Sequence, residues 1–114
     1  MTNLDKALNT LADNIKAYRT CDLQDGDELL RILQQITGVL HYLETERAKC
    51  HNTFQTRVGK LILEGNSVAR SENIAHTEIP EMYMLRHVMN SGYEVVNAIR
   101  STVSWLKSEK QSII

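Results

Sequence analysis

The sequence predicts an all-α fold. Two long antiparallel helices, over about 27–64 and 80–111, are joined by an N-terminal helix over 3–20 in an elongated, coiled-coil-like bundle. Three observations predict it. Apolar residues recur in alternating steps of four and three over long stretches, the spacing that keeps one face of a helix turned toward a partner. A single proline, Pro80, stands in 114 residues. The balance of 42% apolar to 24% charged residues is that of a folded helical chain, one domain spanning 1–114.

The first helix is amphipathic. Leu4, Leu8, Leu11, Ile15 and Tyr18 fall on one face, Asp5, Lys6, Asp13 and Lys16 fall largely off it, and Asn3 is placed to cap it. Cys21 to Gly26 reads as a turn, because Asp25-Gly26 favours a tight reversal. The long helix then starts at Asp27, which can cap its first turn. Its seam is Leu29, Leu33, Ile36, Leu40, Leu43, Cys50, Phe54 and Leu61, and Gly65-Asn66 supplies the stop. Its length would be roughly 55 Å.

Residues 67–78 read as a short helix capped by Ser67 or Ser71. Pro80 breaks the chain at Ile79 and opens the last helix. That helix carries Met82, Leu85, Met89 with Val88, Gly92, Val96, Ile99, Val103 and Leu106 on one stripe. In the resulting hairpin Leu61 is expected near Met82, Phe54 near Met89 and Leu40 near Val103. Gly92 would approach opposite Cys50, and Trp105 would pack toward Ile36. Arms this long and thin hold more seam than one chain covers, which predicts a homo-oligomer, a dimer or a larger ring. Ile113 and Ile114 leave two apolar side chains at the end of the chain, either frayed or docked on a partner copy.

Charge is uneven along the chain although the net is only -1. Asp5, Asp13, Asp22, Asp25, Asp27 and Glu28 outnumber Lys6, Lys16 and Arg19 before residue 30, whereas Arg47, Lys49, Arg57 and Lys60 face no acid between 47 and 63. No apolar run reaches the roughly 20 residues a membrane span needs, and Met1-Thr2-Asn3-Leu4-Asp5 is no signal peptide. A cytoplasmic protein is the default. Cys21 and Cys50 form no CxxC pair and read as idle thiols of a reducing compartment.

No enzyme is predicted. His41 with Glu44 and Glu72 with His76 are isolated pairs that make no matched metal half-sites, and His51 and His87 add none. Cys50 sits in the apolar seam, the serines lie in no GxSxG, and the scattered glycines make no phosphate loop. No cofactor is implied. Arg47 falls on the seam where an apolar group belongs. If buried it needs a partner, for which Glu94 is the candidate, and the pair would then set register; otherwise it reaches out to solvent. Lys49, Arg57, Lys60 and Arg70 form the stretch suited to a polyanion, or else a solvated face. The aromatics available for base stacking are Tyr42, Phe54, Tyr83, Tyr93 and Trp105.

The run Gly65-Asn66-Ser67-Val68-Ala69-Arg70-Ser71-Glu72-Asn73-Ile74-Ala75 comes between two long helices. The last of these ends Ala98-Ile99-Arg100-Ser101-Thr102-Val103-Ser104-Trp105-Leu106-Lys107-Ser108-Glu109. In this layout residues 40–110 resemble small phage-encoded proteins of DNA metabolism, the recombination mediators of T-even phages. The resemblance implies a helical, ring-like oligomer that binds single-stranded DNA. A mediator is richer in cations than this chain, and no functional residue is carried over. Three functions follow as expectations. The first is a non-enzymatic phage accessory factor for single-stranded DNA handling or recombination in the host cytoplasm. The second is an inhibitor or adaptor, such as an anti-defence factor, that meets a host protein through Asp22, Asp25 and Glu28. The third is an oligomer that sequesters an anionic small molecule with the same cations.

Overall fold

The computed structural model describes residues 2–113 and the side chains of residues 2–109. The order is α1 (Asn3–Thr20), α2 (Gly26–Leu63), α3 (Val68–Glu78) and α4 (Glu81–Ile113), with no strand among the described residues. The helices form a rod of 69 × 32 × 19 Å, and α2 is its spine.

Local chemistry sets each helix end. At α1 the Thr2 hydroxyl accepts from the Asp5 N–H (3.1 Å) while the Asp5 carboxylate accepts from the Thr2 N–H (3.3 Å), a capping box one residue earlier than Asn3. Asp25, not Asp27, caps α2 by accepting from the Glu28 N–H at 3.1 Å. The other end of α2 closes on Gly65, the single described residue with positive φ (+99°). There the Asn66 N–H reaches the Leu61 carbonyl and the Gly65 N–H reaches that of Ile62, so two otherwise orphaned carbonyls are satisfied. Ser67 caps α3 through the Arg70 N–H at 3.2 Å. Ile79, ahead of Pro80, leaves helical geometry, and α4 takes its first bond from Met84 to the Pro80 carbonyl.

Packing divides the rod into two cores. In the larger, Leu11 of α1, Leu29, Ile32, Ile36, Leu40 and Leu43 of α2, and Leu85, Met89, Val96 and Ile99 of α4 are buried together. The smaller joins Phe54 and Val58 of α2 to Ala75 of α3, with Ile79 and Met82 against them. One polar group sits within the first core. The Asn14 amide, 5% exposed, donates to the Gln35 side chain (2.9 Å) and the Thr10 carbonyl (2.8 Å), so its burial is compensated.

Two expectations need correction. Much of the α2 seam is covered within one copy, where Leu29, Ile36, Leu40, Leu43, Phe54 and Leu61 are at most 6% exposed, while Leu33 and Cys50 are half-buried. The unforeseen contribution is α3, which folds back onto the last turns of α2. It occupies the place opposite Phe54 and Val58 that the simple hairpin reserved for α4. Consequently α4 meets α2 about two turns earlier in α2, roughly 10 Å along the rod. Gly92 lies against Leu40 and Leu11, not Cys50, and Tyr93 reaches Glu44. Trp105 is 55% exposed on the outer face of α4 and does not cover Ile36. The side chains of Ile113 and Ile114 lie outside the described residues.

Candidate anion-binding groove

The predicted cations are exposed or half-buried, but the fold does not gather them. Lys49 and Lys60 share the outward face of α2, eleven residues apart, with Thr53 and Thr56 between them. Lys49 pairs with Glu46 at 3.3 Å. Arg57 turns instead toward α3 and is held by both carboxylate oxygens of Glu78, at 2.7 and 3.1 Å, which keeps the Glu78 carboxyl below its ordinary range. Arg70 stands on the first turn of α3. A shallow depression beside Arg57 and Lys60 is lined by α2 alone, so it is a bare helix face.

Arg47 is not buried, and its partner is not Glu94. Its guanidinium reaches Glu44, one turn earlier, at 3.3 Å with nearly half its side chain exposed. The reason is the break between the two cores. The buried seam stops at Leu43 and resumes at Phe54, so position 47 faces a gap through which a long side chain extends to solvent. Glu94 lies on the exposed face of α4.

The structure assembles a second set of cations along the groove between α2 and α4. Arg86, Tyr93 and Arg100 recur at seven-residue intervals on α4, so they share one flank of the helix. Two cavities follow that flank. One, about 190 Å³, is lined by Glu44, Arg47, Arg86, Met89, Asn90 and Tyr93. The next, about 240 Å³, is lined by Thr37, His41, Glu44, Tyr93, Asn97 and Arg100 among others. Glu44 and Tyr93 line both, so the two cavities form one groove with three arginines, two asparagines and a tyrosine. Arg86 and Arg100, fourteen residues apart, are separated by roughly 21 Å along α4.

The groove's one carboxylate is already engaged. The Tyr93 hydroxyl donates to Glu44 Oε1 at 2.6 Å, and Arg47 donates to Oε2 at 3.3 Å. The Tyr93 bond, more than the Arg47 charge, holds the Glu44 carboxyl below its ordinary range. The same bond, with burial and the carboxylate charge added, pushes the Tyr93 phenol up. Among the described residues Arg86 and Arg100 have no carboxylate within ion-pair distance.

The pair makes stability depend on pH at both ends. A depressed carboxyl stabilises the fold above its unfolded pKa and loses that contribution as pH falls through the lower folded value. A raised phenol contributes below its unfolded pKa and loses that as pH rises through the higher folded value. The bond therefore acts fully between about pH 4.3 and 10. Tyr93→Phe is expected to lose under about 1 kcal/mol there, because both side chains are about 40% exposed and screened. Urea midpoints measured across pH should show the gap from wild type closing below pH 4; a gap constant with pH would rule the linkage out.

The acids expected to meet a host protein have local work. Asp22 accepts from the Gln24 N–H (2.9 Å), Asp25 caps α2, and Glu28 holds Arg31 at 2.6 Å. Cys21 and Cys50 are free thiols, both pushed up by burial and nearby carboxylates. Among the described residues no helix is long and apolar enough to cross a membrane.

The seven-residue recurrence of Arg86, Tyr93 and Arg100 was present in the sequence as a signal. The stronger pattern in the sequence lies on α2, where bases follow one another without acids. Comparison with known proteins finds no matching family model, no matching curated protein and no matching solved structure.

Proposed function

We propose that this chain is a non-enzymatic helical protein that binds single-stranded nucleic acid through its phosphates along the α2/α4 groove. The observation that carries the reading is the run of Arg47, Arg86 and Arg100 beside Tyr93, with the groove's one carboxylate already bonded. Guanidinium groups bind phosphate oxygens bidentately, and an aromatic ring between them offers a sequence-tolerant stacking surface. Lys49, Lys60 and Arg70 lie outside this groove and serve as secondary, longer-range cations. The resemblance in layout of residues 40–110 to phage recombination mediators leads to the same reading, that of an accessory factor in single-stranded DNA handling. An acidic protein-binding surface is less favoured, because Asp22, Asp25 and Glu28 are tied into the turn and the cap of α2.

The test is fluorescence anisotropy of a labelled oligothymidine titrated with protein at increasing salt. Each phosphate contact contributes about 0.7 to the slope of log affinity against log salt for a single strand. The double variant Arg86→Ala, Arg100→Ala is expected to bind more weakly and to flatten the slope by about 1.4. Lys60→Ala with Arg70→Ala should change it by less. Absence of binding at low salt, or an unchanged slope in the groove variant, would overturn the reading.

A further inference from the structure

Donors outnumber acceptors in the cavity of about 190 Å³ between α2 and α4. Arg47 lines it from α2, and Arg86, Asn90 and Tyr93 line it from α4. Arg86 and Asn90 are four residues apart, so they neighbour each other on one flank of the helix. Neither makes a side-chain hydrogen bond or ion pair among the described residues. Against these donors the cavity offers a single carboxylate, that of Glu44. It is held as a small oxyanion would be. One oxygen accepts from the Tyr93 hydroxyl at 2.6 Å, and the other accepts from Arg47 at 3.3 Å.

The two bonds are unequal. The Tyr93 contact is short and ties Glu44 to a different helix, 49 positions away. The Arg47 contact is long, lies within one turn of α2, and has nearly half the Arg47 side chain exposed. An exposed pair at that spacing holds weakly, so Arg47 is the member that an incoming anion can draw away. Neighbouring acids do not compete. Glu46 pairs with Lys49, and neither Glu81 nor Glu94 lines this cavity or the next. We propose that the cavity is a discrete site for one phosphate group, and that the Glu44 carboxylate holds its place until the ligand arrives. On binding, Arg47 passes from Glu44 to the phosphate, and Arg86 and Asn90 add the donors that Glu44 leaves unused. Glu44 stays on the Tyr93 hydroxyl and limits the affinity, because its charge opposes that of the ligand. This is the point in the groove where one phosphate of a strand is fixed, so the site rests on the nucleic-acid reading for its biological ligand. Inorganic phosphate probes it without that reading.

The test is a titration with inorganic phosphate at constant ionic strength, followed by NMR through the side-chain N–H signals of Arg47 and Arg86. Glu44→Gln keeps the shape of the side chain and removes its charge at a position 41% exposed, and circular dichroism verifies its fold. It should bind phosphate about fivefold more tightly than wild type, the effect of lifting one like charge about 4 Å away in water. Tyr93→Phe keeps the charge and should show no such gain. Adding Arg86→Ala to Glu44→Gln should abolish the gain. Unchanged phosphate affinity in Glu44→Gln, an equal gain in Tyr93→Phe, or a gain that survives Arg86→Ala would overturn the proposal, even where oligothymidine binds wild type. Tighter phosphate binding by Glu44→Gln with no oligothymidine bound by either protein would uphold the site and remove only the nucleic-acid reading.

Discussion

Leu11→Ala is expected to lower the unfolding free energy by about 2–5 kcal/mol, the range for emptying a fully buried leucine site. Leu11 has no exposed surface and is the one apolar side chain of α1 fully buried in the larger core. Its Cδ1 points at Gly92 of α4, and Leu40 of α2 closes the same junction. Three helices meet there, and none can move alone to fill the space, so the cavity persists and the loss should fall toward the upper half of the range. Against a total of about 5–15 kcal/mol for a domain of this kind, the substitution removes a large share of stability. Equilibrium urea unfolding measures it directly. A loss below about 1 kcal/mol would mean that α1 is not packed on α2 and α4 as described.

The opposite change at the same junction forms the second large prediction. A Cβ on Gly92 would stand 3.0 Å from Leu40 Cδ2 and 3.1 Å from Leu11 Cδ1. Alanine at 92 gains about 1 kcal/mol of helix propensity over glycine and loses a similar amount to crowding against two side-chain termini that can yield slightly, so its net effect should be within about 1 kcal/mol. Valine adds two methyl groups with a restricted χ1. It is expected to destabilise by about 1–3 kcal/mol. Because Leu11 supplies one of the two close contacts, Gly92→Val combined with Leu11→Ala should be less harmful than the sum of the two changes, by at least about 0.5 kcal/mol. Strict additivity in the double-mutant cycle would show that Leu11 and Gly92 do not share a contact.

Gly92 also shows where sequence reading succeeds and where it stops. Its place on the α4 stripe implied a close helix approach, and the structure has one. The neighbour expected was Cys50, and the neighbour found is Leu40. Periodicity tells which face of a helix is buried, but sliding one helix along another by a turn or two leaves the same face buried, so it leaves axial position open. The second core built by α3 decides that position. The groove between α2 and α4 failed to emerge for a related reason. Arg47 stood out as a cation on an apolar seam, yet its exposure depends on the gap between two cores, which no local pattern reveals. Arg86, Tyr93 and Arg100 become a groove only when α4 lies beside Thr37, His41 and Glu44.

By itself, the sequence determined the helical class, the start of α1 at Asn3 and the bounds of the long helices to within one or two residues. Most of the buried stripe residues, Leu29, Ile36, Leu40, Leu43, Phe54 and Leu61 on α2 and Leu85, Met89, Val96 and Ile99 on α4, were also legible in it, whereas Ile32, Val58 and Val95 were not. These depend on capping groups, the Gly65 stop, Pro80 and the 3.6-residue repeat, all of which act within a few residues of chain. Only the tertiary structure decided that one copy covers much of its own long seam, that Arg47 meets Glu44, and that the cations of α4 line the groove. Those outcomes depend on which helices compete for the same surface of α2, and contacts between residues about 20 to 80 positions apart settle that competition.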